Sequence, residues 1–168
     1  MTQTDDLLRN NARYADAFAK GDLPAAPARR VAVLACMDAR LDPARVLGLD
    51  EGEAHVIRNA GGVATGDAIR SLAISQHLLG TEEVMLIHHT RCGMLGLSDE
   101  DFAERLEREA GERPPWRARG FSDLERSVRD SIACLEQSPF LPRRDRIRGF
   151  VYDVETGRLR EVSDPRAS

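Results

Sequence analysis

Three short apolar runs decide what this chain can fold into. Val31–Ala35, Ala54–Ile57 and Glu83 to His88 or His89 are too short for helices that bury a face, and each gives way to loop-forming residues. Such runs read as strands covered on both faces, the environment of a parallel sheet. The connections agree. A short helix can open at Pro43, a residue favoured in a first helical turn. Asn59-Ala-Gly-Gly62 leads into a helix from about Asp67 to Leu79 that stops at Gly80. Two further amphipathic segments, Asp99–Ala110 and Phe121–Gln137, flank a loop in which Trp116 is buried or interfacial. The alternation of strand, loop and helix is the signature of a parallel α/β sheet. Residues 148–162, with a turn at Glu155-Thr-Gly157, read as a hairpin on the sheet edge. Ahead of all this, Leu7, Leu8, Tyr14, Ala17 and Phe18 recur at helical spacing until Gly21 and Pro24 end the pattern. That amphipathic helix has an apolar stripe that must pack on something.

At 168 residues the chain is long enough to bury one real core, so a single domain spanning 1–168 is expected, with residues 1–27 as a helical arm. A net charge of -4 argues against a grip on nucleic acid, which needs concentrated positive surface. The basic cluster at 142–146 is interleaved with an acid and reads as a solvated face. No stretch has the length of a membrane span, and the N-terminal segment lacks the pattern of a signal peptide, so a cytoplasmic protein is expected. In that reducing compartment three cysteines are more readily metal ligands, nucleophiles or core residues than disulfide partners.

The first apolar run ends in chemistry. Cys36 closes it, and Asp38 and Arg40 follow at alternate positions. In a parallel sheet the carboxyl ends of strands converge on one edge, where ligand sites form. With strands in the order 2-1-3, the end at Cys36 lies beside the end at His89, which Thr90-Arg91-Cys92 follows. Two sulfurs and an imidazole suit zinc, and three strong protein ligands leave a fourth position open, as in catalytic sites. Asp38 can fill that position, or a bidentate pair with Arg40 can hold it away and let water bind. Set against these readings, a lone Cys36 could be a core thiol, and Asp38 with Arg40 could be a surface ion pair of little energetic weight. Cys134, between Ile132 and Leu135, reads as core. On a strand His88 and His89 point to opposite faces, so one of them meets the metal. His55 and His77 take structural roles. Asn59-Ala-Gly-Gly62 could cradle an anion on backbone amides or be a plain turn.

Cys36-Met-Asp38-Ala-Arg40, Arg58-Asn-Ala-Gly61 and His89-Thr-Arg-Cys92-Gly93 together resemble the β-class carbonic anhydrases, in order and spacing, and the likeness is closest to the short bacterial branch. The resemblance implies one zinc per chain on Cys36, His89 and Cys92, with His89 rather than His88 as the nitrogen ligand. Asp38, a reversible fourth metal ligand, and Arg40 form the catalytic switch. It also implies reversible hydration of carbon dioxide to bicarbonate by a zinc-bound hydroxide. The implied fold is α/β and three-layered: a mostly parallel central sheet in the order 2-1-3-4 with an antiparallel edge strand, flanked by helices. The N-terminal helix packs on a partner subunit in a homodimer, or in dimers paired into a tetramer. Three departures stand out. Arg91 precedes Cys92 where that branch commonly has Asp, no counterpart is evident for the pocket glutamine of plant-like members, and Val33 replaces the Trp of bicarbonate-regulated members. Two other activities remain open at this point. One is hydrolysis of carbonyl sulfide or carbon disulfide on the same scaffold, and the other a non-catalytic zinc-binding structural or redox-sensing role with Asp38 closing the metal.

Overall fold

The structure, a computed structural model, describes residues 2–163. Residues 1 and 164–168 of the expected unit lie outside the described residues. Five strands form one sheet in the order β2-β1-β3-β4-β5. They are β1 (Val31–Cys36), β2 (Ala54–Asn59), β3 (Glu83–His89), β4 (Ile147–Tyr152) and β5 (Leu159–Glu161). The first four are parallel and β5 returns antiparallel along β4. The helices are α1 (Gln3–Asp16), α2 (Pro43–Leu47), α3 (Gly66–Leu79), α4 (Asp99–Ala110) and α5 (Leu124–Glu136).

Side chains alternate across a strand, so β1 serves two cores at once. Ala32 and Leu34 pack with Leu72 of α3 and with Val128 and Leu135 of α5, while Val33 and Ala35 pack on the opposite face with Leu41, Ile87 and Tyr152. Residues 32–36 are all buried, which is why the run reads as continuously apolar rather than alternating. β1 sits in the middle of the sheet, with β2 on one side and β3 on the other. Its last residue, Cys36, is in register with Asn59 of β2.

Local chemistry sets most helix limits. Asp42, Thr65, Ser98 and Asp123 each accept a backbone N–H from the first turn of α2, α3, α4 and α5. α3 and α4 end on Gly80 and Gly111 in the left-handed region. Two limits differ from the sequence pattern. α1 stops at Asp16, ahead of Gly21, and buries none of its residues, so no tertiary contact extends it. α5 starts at Leu124 rather than Phe121, because the Phe121 backbone is engaged elsewhere: its amide donates to Met94 O (3.1 Å) and its carbonyl accepts from Gly96 N (2.7 Å). Trp116, expected to be buried or interfacial, is 56% exposed in this chain and leans on Phe102 with ring centroids 6.5 Å apart.

Candidate metal centre

The carboxyl ends of β1 and β3 deliver the sequence-predicted residues to one place. Cys36, His89 and Cys92 offer one ligand atom each, all within 4.8 Å of one another, and all three residues are buried. The two Sγ atoms are 3.9 Å apart. Cys36 arrives as the last residue of β1 and His89 as the last of β3. Cys92 returns through a turn in which Arg91 adopts a left-handed φ of 55°. For a residue with a Cβ that conformation costs about 1 kcal/mol or more, and it persists because the surroundings impose it. Thr90 shows how: its amide donates to Tyr152 O (2.9 Å) and its Oγ1 accepts from Val154 N (3.1 Å), pinning the turn to the β4–β5 hairpin.

Hydrogen bonding settles which nitrogen of His89 is available. Nδ1 donates to Thr90 O at 2.9 Å, so Nε2 carries the lone pair, and Nε2 is buried without a hydrogen-bond partner. An orphaned buried acceptor costs roughly 1–3 kcal/mol unless something takes it up. Metal-binding histidines commonly donate their other ring N–H to a carbonyl in this way. The sulfurs tell the same story. The Cys92 thiol beside it, then His89 and the backbone amides of Asp38 and Gly61, hold Cys36 below its ordinary range. Cys92 is pushed up, by the Cys36 sulfur first and by burial second. Two thiols this close do not both ionise unaided, whereas a divalent cation between them stabilises both thiolates. The donor set, the orphaned Nε2 and the sulfur spacing therefore fit a zinc ion.

Asp38 stands outside that group of three. Arg40 grips it from Nε to Oδ1 (2.9 Å) and from Nη2 to Oδ2 (2.8 Å), and the Arg40 amide adds a bond to Oδ1 (2.9 Å). That guanidinium holds the Asp38 carboxyl well below the usual carboxylate range. Asp38 Oδ2 lies 3.6 Å from His89 Nε2, beyond hydrogen-bond distance.

His88 is buried on the opposite face of β3, donates from Nε2 to Gly62 O (3.2 Å) and stacks on Phe121. Burial pushes its imidazolium down to about 4, so it is neutral at ordinary pH. Asn59-Ala-Gly-Gly62 forms a 3₁₀ turn, and its Gly61 amide is among the groups that lower the Cys36 thiol. Arg91 pairs with Glu155 on the surface (2.8 Å). Cys134 is half-buried beside the α3–α5 core. His55 bonds Ser75 and His77 bonds Phe140 O, both remote from the centre. Sequence reasoning assigned no part to Thr90, or to Arg58, which binds three carbonyl oxygens between Cys36 and Leu41. A largely apolar cleft of about 590 Å³ has Met37, Ala60, Val63, Met94 and Leu97 in its walls, with Arg117 and Arg119; it is lined by Met37, the residue after Cys36, but by none of the three candidate ligands. A larger cleft of about 850 Å³, between α3 and α5, includes none of the centre's residues.

Comparison with known proteins follows the same outline. A family model described as carbonic anhydrase matches residues 31–159. The chain is 55% identical over 163 residues to β-carbonic anhydrase 1 of Mycobacterium tuberculosis, covering 97% of this chain and 99% of that protein. It is 34% identical over 153 residues to a carbon disulfide hydrolase of Acidithiobacillus thiooxidans, covering 79% and 76%. The crystal structure of a carbonic anhydrase from Streptococcus mutans superposes with a TM-score of 0.91 at 44% identity, over 97% of this chain and 99% of that one.

Proposed function

The chain belongs to the β-carbonic anhydrase family, and from that premise we propose how it hydrates carbon dioxide reversibly to bicarbonate and a proton. Cys36, His89 and Cys92 would hold one zinc ion, with the Asp38–Arg40 pair beside it. What carries this reading is the convergence of two thiols on a buried His89 Nε2 that has no other partner. Zinc, when bound, supplies a Lewis acid that lowers the pKa of water toward neutrality.

The protein's own groups do the rest. Cys36 and Cys92, as thiolates, would set two negative charges against a bound zinc, so its water would be less acidic than in a site of three neutral imidazoles, and turnover is expected to rise into the alkaline range. Arg40 pairs with Asp38 and keeps it ionised, so that the carboxylate is engaged by a guanidinium rather than free to close on a bound cation. Asp38 Oδ2, 3.6 Å from His89 Nε2, would accept a hydrogen bond from water there, and a carboxylate stabilised so strongly by its guanidinium would leave the proton to buffer. The apolar walls at Met37, Val63 and Met94 suit a linear, uncharged substrate.

Stopped-flow hydration of carbon dioxide tests this directly, with carbonyl sulfide and carbon disulfide run in parallel. Carbon dioxide turnover should climb from acid to alkaline pH. A flat profile would sink the charge argument, and no turnover with one zinc per chain would sink the function. Cys92→Ala should lose the metal, read as zinc per chain; full retention would remove the ligand assignment.

The same reading extends to assembly. The whole chain acts as one domain with residues 1–27 as an arm, and the arm packs on a second copy in a homodimer. Leu7 and Leu8 on α1 are 65% and 63% exposed, an apolar stripe that a partner would cover. No helix among the described residues is long and apolar enough to cross a membrane. Free thiols at all three cysteines suit the cytoplasm.

A further inference from the structure

Arg58 is in register with Ala35, one residue before the end of β1. Its side chain runs across the end of that strand. Nε and Nη2 donate to Cys36 O (3.0 and 2.8 Å), and Nη2 also reaches Asp38 O and Leu41 O, both at 2.7 Å. These carbonyls belong to the segment that leaves the sheet, where strand pairing no longer supplies donors, and backbone carbonyls there must find partners elsewhere. A guanidinium presents its N–H groups in a rigid planar fork, which lets one side chain serve three oxygens; an ammonium is a point with three donors.

The segment so held carries both halves of the metal chemistry. Cys36 is its first residue, and Asp38 and Arg40 lie within it. Arg40 then extends the tie, donating from Nη2 to Arg91 O at 3.0 Å, immediately ahead of Cys92. Two guanidiniums in series therefore fix the β1 exit against the turn that supplies the second sulfur.

We propose that Arg58 is a positioning residue for the metal centre, setting the backbone of residues 36–41 so that Cys36 meets His89 and Cys92 as a ready chelate. This rests on the carbonic anhydrase reading above. Arg58 touches none of the three ligand atoms and acts through the segment that bears them. It is also exposed, so when it is removed water can satisfy the carbonyls and the fold survives. What is lost is order in the segment, which zinc binding must then restore at an entropic cost.

The test compares wild type with Arg58→Gln, Arg58→Lys and Arg58→Ala. Three readouts are zinc affinity by competition with a chromophoric chelator, thermal unfolding of the metal-stripped proteins, and kcat and KM for carbon dioxide. Arg58→Gln should hold zinc roughly tenfold to a hundredfold more weakly, with kcat falling and the metal-stripped unfolding midpoint little changed. Arg58→Lys should retain more zinc than Arg58→Gln, and millimolar guanidinium ion should return part of the zinc affinity to Arg58→Ala. Zinc affinity within twofold of wild type in Arg58→Gln overturns the proposal. So does a loss matched by unfolding of the metal-stripped variants with no rescue by guanidinium, which would make Arg58 a residue of the fold alone. A wild-type protein that binds zinc but does not hydrate carbon dioxide would refute the assigned activity and leave the affinity comparison standing.

Discussion

At the scale of single residues, the centre is limited by how closely backbone can approach a sulfur ligand. Gly62 makes the limit explicit. Its φ is +69°, and a Cβ there would lie 2.7 Å from Cys36 N and 2.9 Å from Ile87 O, both backbone atoms that cannot swing aside. Its carbonyl also accepts the His88 Nε2–H. Gly62→Ala therefore meets conformational strain and a clash in one step, and should destabilise the protein by about 2 kcal/mol or more. Chemical denaturation of the zinc-loaded protein measures it, and zinc per chain should fall together with stability, because the displaced atom is the amide of a ligand. An unchanged denaturation midpoint would mean that the 3₁₀ turn relaxes away from β1 at little cost. Spacing brought Cys36, Cys92 and one imidazole of His88 or His89 to two neighbouring strand ends, and the resemblance to the β-class carbonic anhydrases selected His89. Arg58 was not legible in this way. Its role depends on three carbonyl oxygens pointing the same way, and no side-chain pattern records where carbonyls point.

At the scale of elements, α5 comes closest to the sheet over a glycine. Gly149 lies on β4 under α5, and a Cβ at that position would meet Val128 Cγ1 at 2.4 Å and Ile132 Cδ1 at 2.7 Å. Val128 is fully buried and β-branched, so its methyl has little freedom to move. Gly149→Ala should push α5 off the sheet and cost about 1–3 kcal/mol, the range for overpacking a well-filled core. Urea unfolding would show it as a lower midpoint at unchanged slope; zinc content should be unaffected, because α5 contributes no ligand. Stability equal to wild type would mean that the α5–β4 contact is looser than these distances imply. Element limits were legible where a cap or a left-handed glycine marks them, as at Ser98 and Gly111 around α4. They were not where tertiary pairing takes over the backbone. Phe121 continues the helical pattern of α5, yet it bonds to Met94 and Gly96 instead, and that choice depends on a loop folded from elsewhere in the chain.

At the scale of the whole molecule, α1 is the part whose stability the described chain does not explain. A capping box at Thr2 and Asp5 starts the helix, and its links to the body converge on Glu51, through Tyr14 Oη (2.8 Å) and Lys20. Such exposed polar contacts contribute little, and an isolated helix of this length is marginal in water. Its apolar stripe is what a second copy would cover. If the proposed homodimer forms through this arm, Leu7→Asp combined with Leu8→Asp removes two side chains whose full burial is worth about 1.5–3 kcal/mol each, and a two-fold interface counts them twice. Dimer affinity should then weaken by on the order of ten-thousandfold or more. Sedimentation velocity over a range of protein concentrations reads this as a shift from dimer to monomer. The unfolding temperature should rise with concentration in wild type and lose that dependence in the variant, since association stabilises only folded chains. Cys36, His89 and Cys92 all come from one chain, so the monomeric variant should still bind one zinc. A variant that sediments as wild type would place the interface elsewhere and leave α1 as a helix supported by Glu51 alone.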